Sequence, residues 1–251
     1  MHLSRANFIF IDIDGTMIGD ILPQIAEWEI ITKFEKSKMA NFKKNLKIQL
    51  QNGLLRPNIS SFIDTIKANN SDCEFFIYTA SNPAWAHFII GVIESTIGFK
   101  FNRPLFTRDH CFSSKHSQKN LYDVCSIAFN KKRTVYIERK IKTAKDFYQK
   151  SILIDNNHVL PKHEQTKLLV CPTYSYKDTY DVTRLVSEDT LSTNYLEISR
   201  ILYHCDLFPK VESNHFSYPV FKSIYFSHLG NVIKDGVKNK QNKDTFWELL
   251  F

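Results

Sequence analysis

Phe8-Ile9-Phe10-Ile11-Asp12-Ile13-Asp14-Gly15-Thr16 runs from four apolar residues straight into two aspartates. The apolar run, rich in aromatic and β-branched residues, reads as a buried strand over residues 7–12. Carboxylates spaced i, i+2 at its end point to the same side of the sheet. Gly15 then permits a sharp turn. In an open α/β sheet, reaction sites form at the carboxyl ends of the strands. Two aspartates crowded there repel each other unless a cation or a shared proton relieves them. The arrangement suits a nucleophile, a general acid/base and a magnesium ion. A calcium loop would need more oxygen ligands and a bidentate Glu downstream, and Thr16-Met17-Ile18 supplies neither.

Two further apolar runs end the same way. Cys73-Glu74-Phe75-Phe76-Ile77-Tyr78 leads into Thr79-Ala80-Ser81-Asn82-Pro83, and Ser151-Ile152-Leu153-Ile154 into Asp155-Asn156-Asn157. Leu168-Leu169-Val170-Cys171 is a fourth strand candidate. Each residue type at these ends has a use. A carboxylate attacks phosphorus, and a second one protonates the leaving oxygen and activates water. A hydroxyl binds a phosphate oxygen, and a lysine neutralises charge in the transition state.

Helical spacing fills the intervals. Ile25, Trp28, Ile31, Phe34, Phe42, Leu46 and Leu50 form an apolar face opposite Lys33, Lys36, Lys43, Lys44 and Lys47. Arg56-Pro57 opens another helix that turns Ile59, Phe62, Ile63 and Ile66 inward. Helices are expected over 84–95 and 141–149. Residues 99–112 read as irregular, 113–134 as a polar, basic surface insertion, and Val135-Tyr136-Ile137 as a short strand. From Thr190 the texture turns helical and aromatic. Strands alternating with helices predict an α/β fold with a parallel sheet. The main domain is expected over 1–190, with a small cap insertion at 17–54, and a helical C-terminal appendage over 191–251.

The 251 residues are 43% hydrophobic, enough for a sizeable core, and carry a formal net charge of +7. That charge fits an anionic partner, or a solvated lysine-rich surface. The five cysteines lie far apart without a C-x-x-C pair, which excludes common zinc and redox motifs and fits a reducing compartment. His87, His110, His158 and His163 are too scattered for a metal site. No secretory signal and no membrane-length apolar run is read, so an intracellular protein, cytoplasmic or nuclear, is expected. The Lys-, Ile-, Asn- and Phe-rich texture fits an AT-rich genome such as that of a large DNA virus or a parasite.

In these motifs the chain resembles the haloacid dehalogenase superfamily of phosphohydrolases. It is similar above all to the branch of RNA polymerase II C-terminal-domain phosphatases and NLI-interacting-factor-like proteins. The resemblance covers about residues 7–190. It is carried by Asp12-Ile13-Asp14-Gly15-Thr16, Leu55-Arg56-Pro57, Phe76-Ile77-Tyr78-Thr79-Ala80-Ser81, Pro104-Leu105-Phe106-Thr107-Arg108-Asp109-His110-Cys111 and Leu153-Ile154-Asp155-Asn156, in the branch's order.

The resemblance implies a Rossmann-like fold and a magnesium-dependent phosphatase that works through an aspartyl-phosphate. A phosphorylated macromolecule would be the substrate, such as a phosphoprotein with a tail like that of the polymerase. A polynucleotide end phosphatase and a catalytically silent binding module are the alternatives. Asp12 would be the nucleophile and a metal ligand, and Asp14 the general acid/base, binding metal through its carbonyl. Thr79 would bind the phosphoryl group, Ser81 and Arg108 would help hold the substrate, and Asp155 and Asn156 would serve the metal. The expected lysine is Lys142 by distance, with Lys145, in Lys-Asp-Phe, as the alternative and Lys140 as a third. Each also fits a solvated helix lysine. Gly15 departs from the branch, which often has Glu or Gln there.

Overall fold

Runs that are apolar throughout become strands buried on both faces, as parallel sheets require. The computed structural model describes residues 6–19, 21–111, 118–175, 187–205, 217–219 and 221. Five parallel strands, β1 (Phe8–Ile11), β2 (Glu74–Tyr78), β3 (Asn102–Phe106), β4 (Ser151–Asp155) and β5 (Leu168–Val170), lie in the order β3-β2-β1-β4-β5. Asp12 therefore leaves the central strand. The register pairs Ile11 with Ile154, so Asp12 and Asp155 emerge side by side. The amide of Asp12 still bonds Ile154 O at 3.0 Å, which extends the ladder by one step.

The helices are α1 (Leu22–Phe34), α2 (Met39–Gln49), α3 (Ile59–Asn69), α4 (Pro83–Ile97), α5 (Leu121–Lys131), α6 (Arg133–Glu138), α7 (Ala144–Gln149) and α8 (Glu188–His204). Side chains alternate across β1. Phe8 and Phe10 join Phe76, Tyr78, Phe106 and Leu153 in a core sealed by Val124, Cys125 and Phe129 of α5, Tyr136 of α6 and Phe147 of α7. Ile9 pairs with Phe75, whose ring meets Phe62 of α3 edge-on at 6.2 Å. Burying each such ring contributes about 2 kcal/mol.

Three segments differ from the sequence expectation. Residues 102–106 form the edge strand β3 rather than irregular chain. Pro104 hides the signal, because an edge strand tolerates a missing N–H that a central strand does not. Residues 121–131 are a helix with Leu121, Val124, Cys125, Ala128 and Phe129 buried, not a surface insertion. Residues 112–117 lie outside the described residues. Val135-Tyr136-Ile137 is part of α6. Only Tyr136 enters the core, while Val135 and Ile137 stay 48% and 45% exposed, so packing of one aromatic overrides β propensity.

Among the described residues, 6–19 and 55–175 form one compact unit, and 21–54 with 187–205 belong to a second. In the second unit, Ala26 and Ile30 of α1 pack with Leu191, Ile198, Ile201 and Leu202 of α8 and with Phe221. The boundaries read from the sequence set 17–54 and the chain after 190 apart, as an insertion and an appendage. Packing instead joins α1 to α8, two helices far apart in the chain. The rest of the expected appendage, 206–216, 220 and 222–251, lies outside the described residues. Among the described residues, no helix is long and apolar enough to cross a membrane.

The polar seam of this unit centres on Glu35. Its carboxylate accepts hydrogen bonds from the amide of Ser187 (3.1 Å) and from the hydroxyls of Ser187 and Thr190 (2.7 Å each). The Ser187 and Thr190 hydroxyls lower its pKa to about 2, from an ordinary 4.5. A depressed carboxylate stabilises the fold above pH 4.5 and loses that contribution as pH falls through 2. Glu35→Gln should cost about 1 kcal/mol at neutral pH. In urea titrations followed by circular dichroism, its deficit against the native chain should shrink as the buffer is taken below pH 4.5.

Candidate active site

At the carboxyl edge of the sheet, β1 delivers Asp12 and Asp14, β2 delivers Thr79 and Ser81, and β4 ends in Asp155. Asp12, Asp14, Thr79, Asp155, Gln118 and His158 line one cleft of about 570 Å³. Asp12, Thr79, Ser81 and Asp155 are all buried.

The cation among these carboxylates is Lys119. Its Nζ donates to Asp12 Oδ1 at 2.7 Å, to Asp155 Oδ2 at 2.6 Å and to Tyr78 O at 2.7 Å, and the ammonium is 1% exposed. Lys142 and Lys145, the expected candidates, are both exposed. The backbone N–H of Lys142 bonds the Asp146 carboxylate, which closes the first turn of α7. Lys140 is exposed as well. Sequence reasoning misses Lys119 because the residue lies in the stretch 113–134, which reads as a basic insertion. The available signal was Lys119-Asn120-Leu121. Asn120 is the N-cap of an amphipathic helix whose buried positions recur at 121, 124, 125, 128 and 129.

Thr16 ties the two aspartate strands together. Its hydroxyl lies 3.4 Å from Asp12 Oδ2 and 3.2 Å from Asn156 Oδ1, and it accepts the Asn156 amide at 3.0 Å. Asn156 therefore serves this loop directly, and its side-chain amide also reaches Thr173. Gly15 adopts φ +72°, where a Cβ would stand 2.6 Å from Asn156 Nδ2. Buried Arg56 supports the turn from below by donating to Thr16 O at 3.2 Å.

Asp14 is held by Ser81, whose hydroxyl donates to Oδ2. Its other oxygen, Oδ1, is buried and has no hydrogen-bond partner among the described residues. Thr79 accepts the Ser81 amide at 3.1 Å, which leaves its hydroxyl proton for another acceptor. Arg108 anchors this loop through Nε to Ala80 O at 2.9 Å, and its charge favours ionised Asp14.

Positive charge is short here: three carboxylates face the Lys119 ammonium, and Arg108 acts on Asp14. Burial, reinforced by the charges of Asp155 and Asp14, pushes Asp12 up to about 7 against the pull of Lys119. Burial also raises Asp14, opposed first by the Ser81 hydrogen bond. Burial alone would lower Lys119, but Asp12 and Asp155 outweigh it and hold the ammonium above its usual range.

Among the described residues, no group of three His, Cys, Asp or Glu side chains is arranged to hold a metal by itself. The cleft itself offers the carboxylates of Asp12, Asp14 and Asp155, while the Asn156 side chain lies outside its lining and is bonded to Thr16, Thr173 and Asn157. With the unpartnered Asp14 oxygen and the surplus negative charge, this set fits a small hard cation that keeps several waters, the habit of magnesium.

A family model described as NLI interacting factor-like phosphatase matches residues 8–185. No curated protein matches the sequence. A solved structure, described as that of Fcp1, an essential RNA polymerase II CTD phosphatase, aligns at 14% identity over 98% of this chain and 70% of that chain, with a TM-score of 0.37.

Removing one partner of a buried ion pair strands the others. Lys119→Met should therefore destabilise the protein by about 3 kcal/mol. Lys142→Ala and Lys145→Ala should each stay within about 0.5 kcal/mol of the parent in the same denaturant titrations.

Proposed function

The chain belongs to the NLI interacting factor-like phosphatase family, and from that premise we propose that it hydrolyses phosphomonoesters through an aspartyl-phosphate on Asp12. The observation that carries the reading is the convergence of Asp12, Asp14, Thr79, Asp155 and Lys119 on one cleft edge.

In the first transfer, the Asp12 carboxylate attacks phosphorus and the bond to the leaving oxygen breaks. Asp14 supplies the proton that oxygen takes up, and its burial favours the protonated form that this role needs. In the second, Asp14 takes a proton from water, water attacks phosphorus, and the bond to Asp12 breaks. Lys119 orients Asp12 and offsets charge as the phosphoryl oxygens become more negative. The Thr79 hydroxyl donates to a non-bridging oxygen. Magnesium held by Asp12, Asp155, Asn156 and the Asp14 carbonyl would supply further charge neutralisation when bound.

For substrate, the reading is a large phosphorylated chain, a phosphoprotein tail. Asn82 caps α4 immediately after Ser81, so no cap module is inserted at this strand end. The formal charge of +7 favours an anionic macromolecule and supports a second reading, a nucleic-acid end. The presence of both Asp12 and Asp14 at the cleft argues against a silent binding module.

Asp12→Asn should abolish turnover of para-nitrophenyl phosphate with magnesium, and Asp14→Asn should lower kcat by about 10²–10⁴-fold. A phosphorylated heptad peptide should show a higher kcat/KM than a 3′-phosphorylated oligonucleotide. The reverse order would favour the nucleic-acid reading, and an active Asp12→Asn protein would remove the mechanism.

A further inference from the structure

Lys119 is a long, flexible side chain with its tip confined to three acceptors at 2.6–2.7 Å. Such a fit requires a fixed backbone anchor, because a shift of about 1 Å in an active site costs roughly 10²-fold in rate. The anchor is visible. The Lys119 amide donates to Val159 O at 2.9 Å, and the Asn120 amide to Tyr78 Oη at 2.9 Å. The next two amides converge on one carboxylate. Leu121 N–H meets Glu164 Oε2 at 2.9 Å, and Tyr122 N–H meets Glu164 Oε1 at 3.1 Å.

Glu164 is 1% exposed. A buried carboxylate is costly unless its oxygens are bonded, and the free N–H groups and positive dipole at the start of α5 meet that need. It lies on the 3-10 turn Lys162–Lys167, in the same stretch of chain that carries Asp155 and Val159. That stretch thus supplies one acceptor of the Lys119 ammonium and also grips the backbone from 119 to 122.

We propose that Glu164 is a positioning residue: by clamping the first turn of α5 it sets the place of Lys119 Nζ between Asp12 and Asp155. The proposal rests on the reading of this cleft as a phosphoryl-transfer site. Glu164 itself is not among the residues that line the cleft.

The test is a set of variants assayed on para-nitrophenyl phosphate with magnesium, well below their unfolding temperatures. Glu164→Ala should lower kcat at least about tenfold with KM within about twofold. Glu164→Gln, which keeps one accepting oxygen, should fall between. Placed on Lys119→Ala, Glu164→Ala should cost no further activity, because it acts through the lysine. Wild-type kcat in both Glu164 variants, or losses that multiply in the double variant, would overturn the proposal.

Should Glu164→Ala not fold, Glu164→Gln carries the test, with about a threefold loss expected and none overturning it. Asp12→Asn separates the two readings. If it stays active, the phosphatase mechanism fails and the clamp is judged by acylation with acetic anhydride read by mass spectrometry. Lys119 protected in the native chain and labelled in the Glu164 variant supports the clamp, and equal protection overturns it.

Discussion

One buried ammonium between two carboxylates organises this molecule. Parallel pairing places the ends of adjacent strands about 5 Å apart, so the register of β1 on β4 forces Asp12 and Asp155 together. Two ionised carboxylates at that spacing, taken out of water, are mutually destabilising. Lys119 answers both, and the carbonyl of Tyr78 takes its third proton. The lysine reaches them because the face of β1 that carries Phe8 and Phe10 is the face covered by α5, and Lys119 lies just before that helix. Packing of aromatic rings thus decides which charged group enters the site.

The sheet was legible because its inner strands are apolar without interruption. The three polar strand ends were legible because each follows such a run. Edge strand β3 was not, since Pro104 and Arg103 break the pattern that a central position would demand. The lysine was illegible for a different reason. Its distance from Asp155 is 36 residues, and nothing in local periodicity says which of several lysines a fold will draw inward. Only the apolar face of α5, read together with Asn120 as its cap, marks the segment as one that docks. Lys142 offered a plausible spacing and no buried face to deliver it.

The second unit shows the same principle in tertiary form. Helix α1 holds apolar positions, Ala26 and Ile30, that are covered by residues far along the chain, on α8. Glu35 is the polar counterpart, since its carboxylate closes the start of that late helix. Segments far apart in the chain therefore complete one hydrophobic core, which a linear division at a single boundary does not reveal.

The turn at Gly15 links two positions far apart in this chain. A side chain there would meet both a left-handed backbone and the amide of Asn156, which Thr16 and Thr173 already hold in place. A side chain at position 15 is therefore accommodated only where the backbone tolerates positive φ and the Asn156 side chain gives way, which ties the first strand's turn to the loop after β4.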